Sequence, residues 1–147
     1  MIRVVVQEAP IDLPAEFAGA EAEDAGAVAT FTGLVRGDDG VTELALEHYP
    51  GATERALEAL CEQAVARWAL AKAVVVHRVG PMVPGDRVVF VATTARHRGA
   101  ALEACAFLID WLKTAAPFWK SEELAGGDAR WVAARDEDDA LAGRWRR

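Results

Sequence analysis

The chain is poor in lysine. Of its 16 basic residues only three are lysines, Lys72, Lys113 and Lys120, and the rest are arginines. Cysteine is scarce as well. Cys61 and Cys105 stand alone, with no CxxC pair, so a disulfide framework is excluded and two buried, reduced thiols of an intracellular protein are expected. No apolar run approaches the roughly 18 residues of a membrane span. Met1–Gln7 turns polar too soon for a secretory signal. A cytoplasmic protein without membrane attachment is the expectation. Dinucleotide-type GxGxxG and P-loop GxxxxGK[ST] motifs are both missing, as is a Ser/His/Asp nucleophile elbow. His48, His77 and His97 form no metal-ligand spacing with each other or with the cysteines, so no metal site is expected. Positive charge is in deficit, 16 basic against 23 acidic residues, for a net charge of −7. That excludes non-specific nucleic-acid binding and adhesion to an acidic membrane.

What is present suffices for one domain spanning 1–147. Hydrophobic residues make up 52% of the chain, enough for a core and too many for disorder. Ile2–Gln7 reads as a strand and Pro14–Ala20 as a brief helix capped by Asp12. Ala27–Arg36 and Val41–His48 read as two strands of a hairpin around the turn Gly37-Asp38-Asp39-Gly40, with Arg36 at its mouth. Thr53 is the expected N-cap of a helix to about Leu70, with Leu57, Leu60, Cys61, Ala64 and Trp68 at helical spacing. Ala73–Val79 and Arg87–Thr94 read as strands, and Gly99–Thr114 as a second long helix stopped by Pro117. Phe118–Lys120 reads as extended, Ala129–Ala133 as a short strand, and Asp136–Trp145 as a terminal helix or a frayed tail. Two main helices interleaved with antiparallel hairpins make an α+β domain.

Charge is unevenly spread. Between Arg87 and Ser121 five basic residues face two acidic ones, a net of +3, which leaves −10 for the rest of the chain. Such a basic island suits a small anion better than a polyanion. Arg96-His97-Arg98 lies between a strand and a helix start, where backbone donors favour anions. Lys113 and Lys120 bracket Thr114–Trp119. A cation at a helix end is the bland account of Lys113. Yet arginine would serve there equally, and lysine can also lose its proton near other cations and act as nucleophile or base. Lys72 is left as an ordinary surface charge, and His48 and His77 as structural strand residues.

Phe31-Thr32-Gly33-Leu34-Val35-Arg36, Leu46-Glu47-His48-Tyr49-Pro50-Gly51, His77-Arg78-Val79-Gly80, His97-Arg98 and Leu112-Lys113 through Ala116-Pro117-Phe118-Trp119-Lys120 occur in this order. In these blocks the chain resembles the large, catalytic subunit of molybdopterin synthase, over about residue 2 to Trp145. The resemblance implies an α/β-hammerhead-type fold, a homodimer, and a small ubiquitin-like sulfur carrier ending in Gly-Gly as partner in a heterotetramer. It implies a sulfurtransferase that moves sulfur from the carrier's thiocarboxylate to cyclic pyranopterin monophosphate, forming the dithiolene of molybdopterin. The pterin is then substrate and no cofactor is required. By motif, Leu34, Val35 and Arg36 match one substrate-contacting stretch, and His97 and Arg98 a second, supplied across the dimer. Lys113 matches the principal catalytic lysine. Lys120 with Ser121 and Glu122 matches the last stretch, with Lys120 also needed for activity.

The chain departs from the family pattern at three places. The Gly37–Gly40 turn is short, Leu34 stands where some relatives have lysine, and Ala115 replaces a position that is often basic. Two other readings stay open from the residues alone. One is a non-catalytic binder of a phosphate-bearing ligand, in which arginine at 113 and 120 would preserve function. The other is a scaffold that docks a ubiquitin-like tail without converting a pterin.

Overall fold

Residues 73–77, Ala-Val-Val-Val-His, are buried in succession, the pattern of a strand covered on both faces. A computed structural model describes residues 1–124, 129–132 and 142–145, side chains at 39, 121–124 and 129–132 excepted. There this run forms the middle of β4 (Lys72–Arg78). The other elements are β1 (Ile2–Gln7), α1 (Leu13–Ala20), β2 (Ala27–Leu34), β3 (Val41–His48), α2 (Ala52–Trp68), β5 (Gly80–Met82), β6 (Arg87–Ala95), α3 (Arg98–Ala115), β7 (Phe118–Leu124) and β8 (Ala129–Val132).

One sheet has the order β1-β4-β6-β2, with β1 parallel to β4 and the other pairs antiparallel. Alternation along β4 and β6 divides the core. Ala73, Val75, Val89 and Val91 face α2 and α3, where Leu57, Leu60, Ala104 and Leu108 pack. Val74, Val76, Phe90 and Ala92 face the side closed by Ile11 and Ala20. Each buried valine contributes roughly 1.5–3 kcal/mol by burial. The buried threonines of β6 bond to both layers. Thr93 donates to the Ala101 carbonyl and Thr94 to the Ala20 carbonyl, each at 2.6 Å. Lys72 is no ordinary surface charge: its ammonium donates to the Gly19 and Glu21 carbonyls at 2.8 and 2.7 Å, closing the C-terminal end of α1.

The second sheet has the order β5-β3-β7-β8. Here the expected hairpin is corrected. β2 pairs with β6, while β3 lies between β5 and β7, so the two strands belong to different sheets. Alternation fixes which face of a strand is buried, not which neighbour it takes. The Val35 N–H donates to Asp86 and its carbonyl accepts from Gly85, at 2.9 and 2.8 Å. A 3-10 turn at Asp38–Gly40, with Gly40 at φ 74°, then carries the chain to the other sheet. The segment at 118–120 is likewise more than an extended stretch; it opens the full strand β7, paired with β3 and β8.

Helix α2 is capped by Gly51, not Thr53. Gly51 sits at φ 85°, where glycine is favoured, and its N–H donates to Glu54 at 3.3 Å. The helix ends at Trp68 because Ala69 takes the left-handed conformation. Of the expected terminal segment Asp136–Trp145, residues 136–141 lie outside the described residues, as does Ala133 at the end of the expected last strand. Trp145 packs edge-on against Trp68 and Phe107, with ring centroids 5.7 and 5.9 Å apart, and its indole N–H donates to Asp110 at 2.7 Å. Among the described residues no helix is long and apolar enough to cross a membrane.

Candidate functional site

Strand directions decide which residues share an end of the molecule. β2 and β4 run antiparallel to β6, with Leu34 opposite Arg87 and His77 opposite Val89. Helix α3 follows β6 and packs back along it and along β2. The ends of β2, β4 and α3 therefore gather at the start of β6. They bring Leu34–Arg36, His77 and Lys113 to one place.

The register shifts between Gly33 and Leu34. Leu34 is 56% exposed, whereas Val35 is buried beside Leu44, Leu46 and Met82. Val35 thus anchors the strand end in the core between two outward-facing neighbours. Among the described residues Arg36 makes a loose, exposed pair with Asp38 at 3.5 Å, too weak to keep the guanidinium from an external anion.

Lys113 occupies the last turn of α3, where a cation suits the helix dipole. Lys120 lies on β7 opposite Leu46. Phe118 and Lys120 are two apart and so share a face of the strand. On that face Phe118 stacks on the buried His77 ring, with centroids 4.1 Å apart and planes at 22°. Burial lowers the His77 pKa to about 4, against a hydrogen bond to the Arg78 carbonyl that raises it; Lys113, Lys120 and His48 lower it further. Both lysines thus act on one buried, neutral imidazole. His48 lies 3.7 Å from Glu54. On the other face of β7, Trp119 donates to Glu47 at 3.1 Å and packs on Tyr49, with centroids 4.5 Å apart.

His97 and Arg98 are not part of this cluster. His97 is the N-cap of α3, in extended conformation without a side-chain cap bond, and Arg98 opens the helix. Fifteen residues of helix separate Arg98 from Lys113, about 22 Å at 1.5 Å per residue. The basic island read from the sequence is therefore two patches at opposite ends of α3. Arg96, His97 and Arg98 are exposed around a helix start with no acid in its first turn. Gly26 holds the approach to this turn: its N–H donates to Ala95 at 3.0 Å, and a Cβ there would collide with the Arg96 carbonyl. Ser121 and Glu122 are placed by backbone only, opposite Ala45 and Leu44, and their side chains lie outside the described residues.

His77 and Phe118 were not singled out as site residues by the sequence. His77 continues the apolar run of β4, so its burial was legible, but its stacking on a residue between the two lysines was not. Cys61 and Cys105 are free and buried, which raises their thiols to about 12 and about 11 and makes them poor nucleophiles. Among the described residues no three His, Cys, Asp or Glu side chains cluster as metal ligands would.

The family model described as MoaE protein matches residues 6–115. The chain belongs to the MoaE family. It is 50% identical over 147 residues to the molybdopterin synthase catalytic subunit of Salmonella typhimurium, with 97% of each chain covered. To the subunit of the same name from Cereibacter sphaeroides it is 51% identical over 148 residues, covering 98% of this chain and all of the relative. Among solved structures, the molybdopterin biosynthesis MoaE protein of Burkholderia ambifaria superimposes with a TM-score of 0.85 at 48% identity, covering 99% and 98% of the two chains. MoaE membership extends over the whole scaffold just described, from β1 through β8.

Proposed function

We propose that this chain is the sulfur-transferring large subunit of molybdopterin synthase. It takes sulfur from the C-terminal thiocarboxylate of a small ubiquitin-like carrier ending in Gly-Gly. It installs that sulfur on cyclic pyranopterin monophosphate to build the dithiolene of molybdopterin. The observation that carries this reading is the convergence of Lys113 and Lys120 on one buried ring, at the end of the sheet that also presents Arg36. Clustered cations attract and orient a thiocarboxylate and a cyclic phosphate. Lys113 stabilises negative charge on the carrier carbonyl as its bond to sulfur breaks, or transfers a proton there. Lys120, with Ser121 and Glu122 beside it on β7, positions tail and pterin. Leu34 offers an exposed contact next to Arg36, and buried Val35 holds the two in place between its bonds to Asp86 and Gly85. No cofactor enters this chemistry, since the pterin is substrate and sulfur arrives on the carrier.

His97 and Arg98 join such a site only from a second copy, because α3 separates them from Lys113 on their own chain. A surface for that copy exists. Among the described residues β2 pairs only with β6, and Val28, Phe31 and Leu102 are 40%, 37% and 61% exposed around this edge. An unpaired edge with apolar flanks is suited to covering by a symmetric partner. Two buried free thiols fit a reducing, cytoplasmic setting.

The test mixes the purified chain, thiocarboxylated carrier and cyclic pyranopterin monophosphate. Dithiolene product is expected with the unaltered chain and none with Lys113→Ala, which should remain a folded dimer. Near-normal turnover by Lys113→Ala would overturn the assignment. Retained turnover with arginine at both 113 and 120 would favour the simple anion-binding role.

A further inference from the structure

Residues 114–119 join the two lysines, and two buried groups grip this connection at consecutive positions. The Phe118 N–H closes a tight turn on the Ala116 carbonyl at 2.9 Å. At the centre of that turn the Pro117 carbonyl accepts a hydrogen bond from the Thr53 hydroxyl at 3.0 Å, across 64 residues of sequence. Thr53 is fully buried, and the same hydroxyl oxygen accepts the Tyr49 N–H at 3.0 Å. It is thus committed in both directions, and no other side chain type of its size offers a donor, an acceptor and a methyl group together. One residue further on, Phe118 is held by the stack on His77. That ring is itself fixed, because Nδ1 lies 2.8 Å from the Arg78 carbonyl and therefore carries the proton. Lys113 from α3, Lys120 from β7 and His48 from β3 act electrostatically on this ring, and the Arg78 carbonyl on β4 bonds it.

We infer that Thr53 and His77 are positioning residues for sulfur transfer, clamping the Ala116–Phe118 corner so that Lys113 and Lys120 face a common substrate. This rests on the sulfur-transfer reading above. Thr53 acts through Pro117, and His77 through Phe118. Because Phe118 and Lys120 share a face of β7, a rotation at Phe118 swings Lys120 with it. The position of Lys113 is set by α3, so the corner determines the separation of the two lysines.

The scarcity of lysine provides a direct readout. With isotope-labelled lysine the protein shows three side-chain NMR signals, and Lys72, held by carbonyls at the end of α1, is an internal reference. Thr53→Val keeps the shape of the side chain and removes the hydroxyl. In the reconstituted complex it is expected to leave the KM for the carrier near its normal value while kcat falls about 10- to 100-fold, the scale of a misplacement of about 1 Å. The Lys113 and Lys120 signals should move and the Lys72 signal should not. Thr53→Ser returns the hydroxyl and should recover most of both. Should Thr53→Val not fold, His77→Phe, which keeps a ring against Phe118 but releases it from the Arg78 carbonyl, is expected to show the same split. Unchanged kcat, unmoved Lys113 and Lys120 signals, movement of Lys72 along with them, or failure of serine to restore would each overturn the clamp. An unaltered chain that makes no product with a competent carrier would instead overturn the sulfur-transfer reading, and the lysine signals would still test the clamp.

Discussion

Acid should weaken this fold through His77, over a pH range that the structure specifies. The ring is 6% exposed, and its pKa is lowered from 6.5 to about 4, first by burial and then by Lys113, Lys120 and His48, against the Arg78 carbonyl, which raises it. The unfolded chain binds the His77 proton near pH 6.5 and the native state only near pH 4. Between these values the unfolded state holds more protons, so stability falls as pH falls, and the loss levels off below about pH 4. A shift of this size corresponds to about 3 kcal/mol in total, of which about 1 kcal/mol is lost between about pH 6 and about pH 5. For a domain stable by roughly 5–15 kcal/mol that is a large share. The assay is urea denaturation at a series of pH values for the unaltered protein and for His77→Phe, which cannot titrate. The variant also loses the hydrogen bond to the Arg78 carbonyl, which shifts stability at every pH, so the slopes against pH are compared. The unaltered protein should lose about 1 kcal/mol more than the variant over that single unit. Parallel slopes would refute a buried, neutral imidazole at His77.

A composite site makes a sharp prediction for mixed dimers. Lys113→Ala and Arg98→Ala chains should each be strongly impaired alone. After unfolding and refolding together in equal amounts, half the dimers carry one of each, and each of these has one intact site, so about a quarter of normal turnover should return. No recovery would rule out that Arg98 is supplied across the dimer, and full activity of Arg98→Ala alone would place it outside the site. Separately, Asp110, itself 8% exposed, accepts hydrogen bonds from Arg144 Nε at 3.1 Å and from the Trp145 indole at 2.7 Å, and pairs with Arg144 Nη2 at 2.7 Å. Asp110→Ala should cost about 1–3 kcal/mol in urea denaturation and free the Trp145 fluorescence, and a change under about 0.5 kcal/mol would show that the docking of 142–145 contributes little.

The legible parts of the fold were those set by local pattern. Helical spacing of Leu57, Leu60, Cys61 and Ala64 located α2, and the apolar run at 73–76 located β4, because burial of a helix stripe or of a two-sided strand is written directly into residue order. The pairing of β2 with β6 was not legible. Val41–His48 alternates equally well as the hairpin partner of β2 or as the middle strand of another sheet, and the choice is made by Asp86 and Gly85 bonding to Val35, contacts distant in sequence. The basic island failed for a related reason. Counting charge along the chain treats neighbours in sequence as neighbours in space, but a helix the length of α3 carries its two ends far apart. Thr53 shows the same limit on a single residue. Its type and position suited an N-cap, and what its hydroxyl binds was decided by Pro117, far along the chain.

The shortage of lysine also takes a different meaning once the three are placed. Lys72 and Lys113 both sit at helix C-terminal ends, of α1 and α3, where a compact ammonium with several donors suits exposed carbonyls. Scarcity alone therefore does not mark Lys113 as chemical, since its helix end accounts for a cation. The discriminating feature is Lys120, a strand residue that shares the face of Phe118 and acts with Lys113 on the same buried ring. The two roles of Lys113 can be separated. Lys113→Arg keeps the charge at the end of α3 and should leave the denaturation midpoint within about 0.5 kcal/mol of the original. The same substitution puts a planar, permanently charged fork in place of an ammonium that can give up a proton, so sulfur transfer should fall. Equal loss of stability and activity would mean that Lys113 acts only through the helix end.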